Sequence, residues 1–390
     1  MRPTAIAIAV LTAGSVHADE LDFSLDLRGV NVSGEPSFLY GELGKLRFDS
    51  AHDGLQLGRA RIAYNGTFGE RWRAHVDASS WGDSDKHAID LTEAFVEFRP
   101  YPRGGWRTRV RGGAFYPPLS LENGSAGWQN IYTISSSALD SWVAEEIRAI
   151  GLEAQATWLG TKQGHASDFG VVAGAFGWND PAGVAIASHG FGIHDRQTTL
   201  FGRLGRPGSE YLPGRTLFRE IDGRPGYYVG ANWRYLDRFM VRVLHYDNRA
   251  DPSIFEPAIN DFAWLTQFDG ASARFDTGHG WTFLAQWLSG LTSVEPPGQD
   301  YDWKFRARFA MVSRAIGLHQ LSARLEDFDV RAHEQLVDHG HAWTLAWTFQ
   351  PNEHWRFATE WLDIRSDVAR ERQLQVSARY TFAQRFRDSR

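Results

Sequence analysis

The sequence predicts an all-β fold: a transmembrane antiparallel β-barrel of about eighteen strands, with sixteen as the alternative and with the third external loop folded inward. Three observations predict it. The first is composition: the 390 residues include 16 Trp, 39 Gly and 14% aromatics, with 23% charged residues and a mean hydropathy of −0.38. A membrane barrel has this profile because only alternate strand residues face lipid and aromatics collect at both interfaces. The second is the N-terminus, where Arg2, an apolar run over 5–13 and the small-residue site Val16-His17-Ala18 read as an export signal at 1–18, removed before Asp19. The third is a period of two that recurs along the chain.

Composition also excludes several classes. With no cysteine there is no disulfide scaffold, thiolate metal site or cysteine nucleophile. Beyond the N-terminal segment no apolar stretch is long enough for a membrane helix, and the formal charge of −6 argues against a general nucleic-acid binder. Apolar residues at 43% argue against a disordered chain.

In chain order, strands are expected at 21–30 and 55–67, the second with Ala60, Ile62 and Tyr64 on one face and Arg59, Arg61 and Asn65 on the other. The next, at 71–79, sets Trp72, Ala74, Val76 and Ala78 against Arg71, Arg73, His75 and Asp77; 89–98 sets Ala94, Val96 and Phe98 against Glu93 and Glu97. The fifth, 106–116, alternates Val110, Gly112 and Ala114 with Arg109 and Arg111. Further strands are expected at 147–158, 168–178, 197–205, 214–221, 227–235, 238–247, 262–275, 281–291, 303–313, 317–329, 341–349, 354–364 and 372–382. The 214–221 segment is the weakest, and an even strand count keeps it. In 303–313 Phe305, Ala307 and Phe309 oppose Lys304, Arg306 and Arg308; in 372–382 Leu374, Val376, Tyr380 and Phe382 oppose Gln373, Gln375 and Arg379. A soluble sandwich would alternate in the same way. The export signal and an apolar face rich in Ala, Gly, Val and aromatics favour the barrel, with the apolar faces toward lipid.

Short connectors such as Gly69-Glu70, Leu236-Asp237 and 351–353 fall on the periplasmic side. The longer ones at 31–54, 117–146, 179–196, 248–261 and 292–302 fall outside. The domains expected are the signal at 1–18, one barrel over 19–382 and a short tail at 383–390. The 117–146 loop carries Trp128, Ile131, Tyr132, Leu139, Trp142 and Val143, too apolar to hang in water, so it is expected to fold against the inner wall and narrow the lumen.

Several stretches resemble the phosphate-selective-type porins and their broader relatives. They are Leu57-Gly58-Arg59-Ala60-Arg61-Ile62 in the second strand, Gly66-Thr67-Phe68 before a Trp-containing third, and Thr92-Glu93-Ala94-Phe95-Val96-Glu97-Phe98 in the fourth. The entry to the third loop, Gly113-Ala114-Phe115-Tyr116-Pro117-Pro118-Leu119-Ser120-Leu121-Glu122, resembles theirs as well. The resemblance covers about 55–159 and is topological beyond. It implies a passive, trimeric outer-membrane channel constricted by its third loop. Departures limit it: Gly58-Arg59-Ala60 stands where the family has Arg-Arg-Ala, and the third loop carries no lysine. The chain also continues past Phe382 where such barrels end on an aromatic. Phosphate binding is therefore not carried across.

The expected pore-lining residues are Arg59, Arg61, Arg71, Arg73, Arg107, Arg109 and Arg111 with Glu93 and Glu97; the expected constriction loop offers Glu122, Asp140, Glu145 and Glu146. A basic wall facing acidic loop groups gives a transverse field and weak ion selectivity. The arginines can equally pair with Asp77, Glu93 and Glu97 to satisfy a polar interior. Trp343, Trp347, Trp355 and Trp361 read as lipid-facing or interface residues, with a sugar slide along the lumen as the alternative. His333, His339 and His341 read as solvated rather than metal-binding. The function expected is a porin for small hydrophilic or charged solutes, without enzyme activity, cofactor or metal. The alternatives are a barrel enzyme and a receptor or adhesion barrel. The partners expected are membrane lipid and lipopolysaccharide, small solutes or ions and two further copies in a homotrimer, with no nucleic acid, in the outer membrane of a Gram-negative bacterium.

Overall fold

A computed structural model describes residues 16–40, 42–83, 88–124, 126–204, 215–332 and 335–386. Alternation along the chain produces β1 (Val16–Ser33), β2 (Gly54–Phe68), β3 (Trp72–Ser80), β4 (Asp90–Phe98), β5 (Trp106–Phe115), β6 (Ala149–Trp158) and β7 (Ser167–Gly177). These are followed by β8 (Gly226–Tyr235), β9 (Phe239–Asp247), β10 (Phe255–Glu256), β11 (Asp261–Phe262), β12 (Leu265–Asp276) and β13 (Trp281–Val294). The last five are β14 (Tyr301–Ile316), β15 (His319–Ala332), β16 (Gln335–Phe349), β17 (Trp355–Ser366) and β18 (Arg370–Phe386). β10 and β11 form a separate two-stranded hairpin. The other sixteen strands close into one antiparallel barrel, each paired with its chain neighbours and β1 paired with β18 from Asp19↔Phe386 to Ser33↔Arg372.

The count is thus sixteen, the alternative, and not eighteen. The two extra segments, at 197–205 and 214–221, fall in the connection between β7 and β8. Where described, they meet only at a bridge between Leu204 and Arg215. Several of their apolar residues are buried, as expected of a strand, but in a loop core: Leu204, Leu217 and Phe218 pack with Phe38, Val184 and Trp264. A short apolar run reports burial and not the element that supplies it. At the other end of the chain, β18 runs four residues beyond Phe382, to Phe386, so the start of the expected tail is wall. Residues 1–15, most of the expected signal, lie outside the described residues, as does His333.

Turns alternate in length as they must when hairpins meander round a barrel. One rim carries short turns; at Leu236 and Asp237 the φ angles are 49° and 54°, a left-handed pair that matches the twist of a tight hairpin. An aromatic belt runs outside this rim, with Trp72, Trp106, Phe169, Trp233, Trp281, Trp355 and Tyr380 all well exposed. Trp347 belongs to the same surface, and Trp343 and Trp361, which alternate with the inward Ala342, Thr344 and Leu362, are tilted against each other with ring centroids 6.4 Å apart. The four tryptophans face lipid, not a sugar path.

The opposite rim carries the long loops, and three of them turn into the barrel. The loop over 116–148 contains α1 (Ala138–Glu146), capped by the Ser137 hydroxyl on the Asp140 N–H. The loop over 178–225 contains α2 (Val184–His189). A core inside the barrel joins Leu46 and Phe48 of the first loop, Leu139, Trp142, Val143 and Ile147 of the third, and Ile186, Phe191 and Ile193 of the fourth. Its outer shell is the inward face of β1, β5–β9 and β12–β17, with Phe176, Tyr246, Phe268, Phe305 and Phe328 among the contributors. Trp142 is fully buried at its centre. On β14 the expected orientation is reversed: Phe305 and Ala307 point into this core and Phe309 into a smaller one with Leu121 and Tyr132, while Lys304, Arg306 and Arg308 point out. Alternation fixes that two faces differ; it does not say which one meets lipid when the lumen is itself apolar.

Close approach tightens the fourth loop. Gly183, at the start of α2, has φ 99°, and a Cβ there would collide with the Thr292 hydroxyl and lie 2.5 Å from that of Thr266.

Candidate functional site: the polar sector of the lumen

Where the apolar core ends, the inner wall of β18, β1, β2 and β3 is charged. Period-two strands put Asp22, Asp26 and Arg28 of β1, Arg59 and Arg61 of β2, Asp77 and Ser79 of β3, and Gln375, Ser377 and Arg379 of β18 on one continuous inner surface. Asp77, fully buried, holds Arg61 Nε at 2.5 Å and Arg59 Nη2 at 3.4 Å. Arg61 also reaches Asp22 at 2.8 Å, and Arg59 donates to the Gly127 carbonyl of the third loop at 2.7 Å. Opposite them, Asp195 of the fourth loop binds Arg28 through both oxygens, at 3.0 and 2.5 Å. Burial alone would raise the Asp195 carboxyl, but the Arg28 and Arg47 guanidiniums hold it well below the usual carboxylate range. This forked ion pair ties a loop to the wall.

Space remains between wall and loops. A void of about 10 Å³, room for about one water, is lined by Arg59, Asn123, Trp128, Asp195, Gln197 and Arg379 among others. It shares Gln129, Asn130 and Arg379 with a cavity of about 230 Å³ at the short-turn end, lined also by Asp22, Arg61, His354 and Arg356. Arg356 and Arg379 face each other directly across β17 and β18. Arg379 has Asp26 at 3.8 Å. Arg356 donates to the Thr348 hydroxyl at 3.2 Å and, among the described residues, has no carboxylate partner. Like charges directly opposed on a sheet cost stability, so this pair is best satisfied by water or a passing anion. Sequence reading missed Arg356 and Asp195. Arg379 was visible on the polar face of the last strand, but its partner across the hairpin emerges only from register.

The remaining expected residues divide. Arg109 and Arg111 share Glu153 of β6, at 2.7 and 2.8 Å, with Glu97 3.5 Å from Arg109. Glu93 accepts the Tyr116 N–H at 3.2 Å, fixing the entry to the third loop. Arg71 and Arg73 are exposed at the short-turn rim and Arg107 is half-buried.

The loop carboxylates are not aimed at the arginine wall. Glu122 binds Arg324 of β15 at 3.0 Å and accepts the Ser137 N–H. Asp140 accepts the Ser120 hydroxyl at 2.8 Å, and burial next to Glu122 raises its carboxyl well above the ordinary value. Glu145 sits 3.1 Å from His194 and 3.8 Å from His189. Burial would raise its carboxyl, but the two imidazoles bring it below normal, while burial pushes the His189 imidazole down to about 4. Glu146 caps α2, accepting the Gly183 and Ala185 N–H groups at 3.1 and 2.8 Å, and the Trp142 indole at 2.5 Å. Burial nevertheless raises it to about 7. Asp180, Glu220 and Asp222 also lie within 4.8 Å of one another. Asp180 accepts the Ile221 and Asp222 N–H groups, an arrangement that staples the loop.

No family model matches the chain, and no curated protein matches it. Solved structures do. OmpF of Salmonella typhi, in complex with daunomycin, superposes with a TM-score of 0.55 at 10% identity over 93% of this chain and 97% of that one. The in-vitro folded trimer form of OmpT, an outer membrane protein of Vibrio cholerae, gives 0.54 at 11% over 93% and 99%. The anion-selective porin from Comamonas acidovorans gives 0.51 at 13% over 94% and 99%. The likeness is one of fold: this chain has the architecture of outer-membrane porins. A closed antiparallel barrel with an apolar, aromatic-belted exterior belongs in the outer membrane of a Gram-negative bacterium, since closure leaves no unpaired strand edge in lipid.

Proposed function

We propose that this barrel is a channel for passive diffusion of small hydrophilic or charged solutes, weakly ion-selective and without enzyme activity. The observation that carries the proposal is the polar sector, where the 230 Å³ cavity and the smaller void share lining residues beside Arg59, Arg61 and Arg379. Solutes would move along this wall and not through the middle of the barrel. The resemblance to phosphate-selective-type porins supports a channel, but most arginines on the path already have carboxylate partners, which favours a weak field over a tight anion site. Charges about 8–10 Å apart at an effective dielectric near 20 interact by about 1–2 kcal/mol, enough to tune permeability several-fold. Assembly as a homotrimer and removal of 1–18 belong to the same proposal; mass spectrometry of the exported chain should find Asp19 at its start.

Single-channel recording in planar bilayers with asymmetric KCl is the test. Small, ohmic steps with a modest reversal potential support the channel. A second reading, a receptor or adhesion barrel, is favoured by the apolar packing of three loops inside the wall, and predicts a correctly folded protein with no conductance at all.

A further inference from the structure

The outer wall of β14–β18 carries charge where lipid contact would call for apolar residues. Inward placement of Phe305, Arg324, Phe328, Leu362 and Ser377 sends the alternate residues of the same strands outward. Toward the long-loop rim these outward residues are arginines sharing aspartates. Asp329 of β15 lies 2.6 Å from Arg306 and 3.2 Å from Arg331. Asp363 of β17 lies 3.0 Å from Arg365 and 2.8 Å from Arg372. Each aspartate is covered by its guanidiniums, while the guanidiniums stay 41–48% exposed. Each triad therefore keeps one net positive charge and free donors directed away from the barrel. Beside them Arg365 and Arg370 oppose each other across the sheet.

Nearer the short turns the same strands become apolar, with Leu321, Leu325, Leu345, Leu374 and Val376 exposed. Charge on a lipid face is costly at the bilayer centre and close to free at its edge. A belt of leucine and valine below a ladder of half-paired guanidiniums matches an amphiphile held upright against the wall, with acyl chains low and an anionic headgroup high. Guanidinium binds phosphate through two parallel hydrogen bonds, and β14, β15, β17 and β18 display the donors on one outer face. We propose that this face is a docking site for the phosphorylated headgroup of an outer-leaflet glycolipid, lipopolysaccharide, with Arg306, Arg331, Arg365 and Arg372 as its phosphate ligands. The proposal needs only the membrane placement of the barrel and is independent of conductance.

The probe is bis-phosphorylated lipid A, compared with its dephosphorylated form, titrated into the detergent-solubilised full-length barrel and read by native mass spectrometry. The phosphorylated form should bind wild-type protein at least about tenfold more tightly. Arg306→Gln with Arg331→Gln, and Arg365→Gln with Arg372→Gln, should each weaken it by about tenfold, with heat-modifiable gel mobility confirming the fold. Equal binding of the two lipid forms to wild-type protein overturns the proposal without any variant. Undiminished lipid A binding by the folded double variants also overturns it. So does a loss of oligomer with lipid binding intact, which would make the face a subunit interface.

Discussion

The two sectors of this lumen solve the same problem in opposite ways. Over β5–β9 and β12–β17 the inner wall is apolar enough to hold loops, and Trp142 lies between Phe268, Phe305 and Phe191 with ring centroids 4.8–6.4 Å away. Over β18, β1, β2 and β3 the wall is charged, and the loops that approach it do so through Gly127, Gln129 and Asp195, leaving room for water. A barrel interior need not be uniformly a pore or a core. The difference teaches that a plug can be anchored on one side by burial and held on the other by ion pairs, and that only the second side keeps room for water.

The sharpest way to break this comparison is to empty the apolar side. Trp142→Ala should cost about 3–5 kcal/mol, read by urea unfolding in detergent, and should loosen the loops enough to raise conductance. A stable variant with unchanged conductance would show that the loop core does not narrow the channel. Asp77→Asn strikes the polar side. It strips Arg59 of its carboxylate while Arg61 retains Asp22, so a loss of about 3 kcal/mol is expected, at the lower end for a broken buried pair. A variant as stable as wild type would mean that water already screens these charges. Gly183→Ala should cost about 1–3 kcal/mol, since the left-handed backbone and the threonine hydroxyls of β12 and β13 both resist a methyl group.

Smaller and more diagnostic is pH. Glu146, raised to about 7 by burial, binds its proton more tightly folded than unfolded, so its contribution weakens as pH rises from about 4.5 to 7. His189, held at about 4 by burial, does the reverse, and its contribution strengthens from pH 4 to 6.5. Asp180, also raised to about 7 by burial, acts in the same direction as Glu146. In Glu146→Gln the Glu146 contribution is gone, and unfolding midpoints should fall less with rising pH across that window than in wild type; an unchanged profile would remove Glu146 from the account. The smallest effect expected is on selectivity. Neutralising Arg59, Arg61 and Arg109 together should move the reversal potential in asymmetric KCl toward cations by a several-fold permeability change at most. Neutralising Asp140, Glu145 and Glu146 should change folding and leave selectivity alone, because these groups bind loops and wall, not the open path.

Much of the barrel is legible in the sequence because alternation is local: sixteen of the eighteen expected segments are wall strands, with ends shifted by a few residues. What failed was the assumption that every apolar run belongs to the wall, and Leu204, Leu217 and Phe218 are where it failed. The third loop announced its inward course through Trp142 and Val143. The fourth did not, because Phe191 and Ile193 are spaced among Gly, His and Asp residues without a period. In the site, Arg59 and Arg61 were visible as the charged face of β2, yet their shared partner could have been any of several acids until register placed Asp77 beside them. The Arg28–Asp195 link spans 167 residues and has no local trace.

The seam between the first and last strands has a consequence for how this protein is made. Glu20 and Arg385 meet across it although 365 positions separate them, so the cylinder cannot close until nearly the whole polypeptide has been synthesised and delivered. Closing so long a loop costs about 5 kcal/mol in chain entropy, and the sheet must carry both free edges through assembly. On the inner side those edges are lined by Asp22, Asp26, Gln375 and Arg379, groups that tolerate water while the gap is open. The interior loops, whose apolar residues do not, anchor chiefly on strands elsewhere in the wall. Insertion can therefore proceed as a half-pipe already filled with its own contents, and the last event is the zipping of a wet joint.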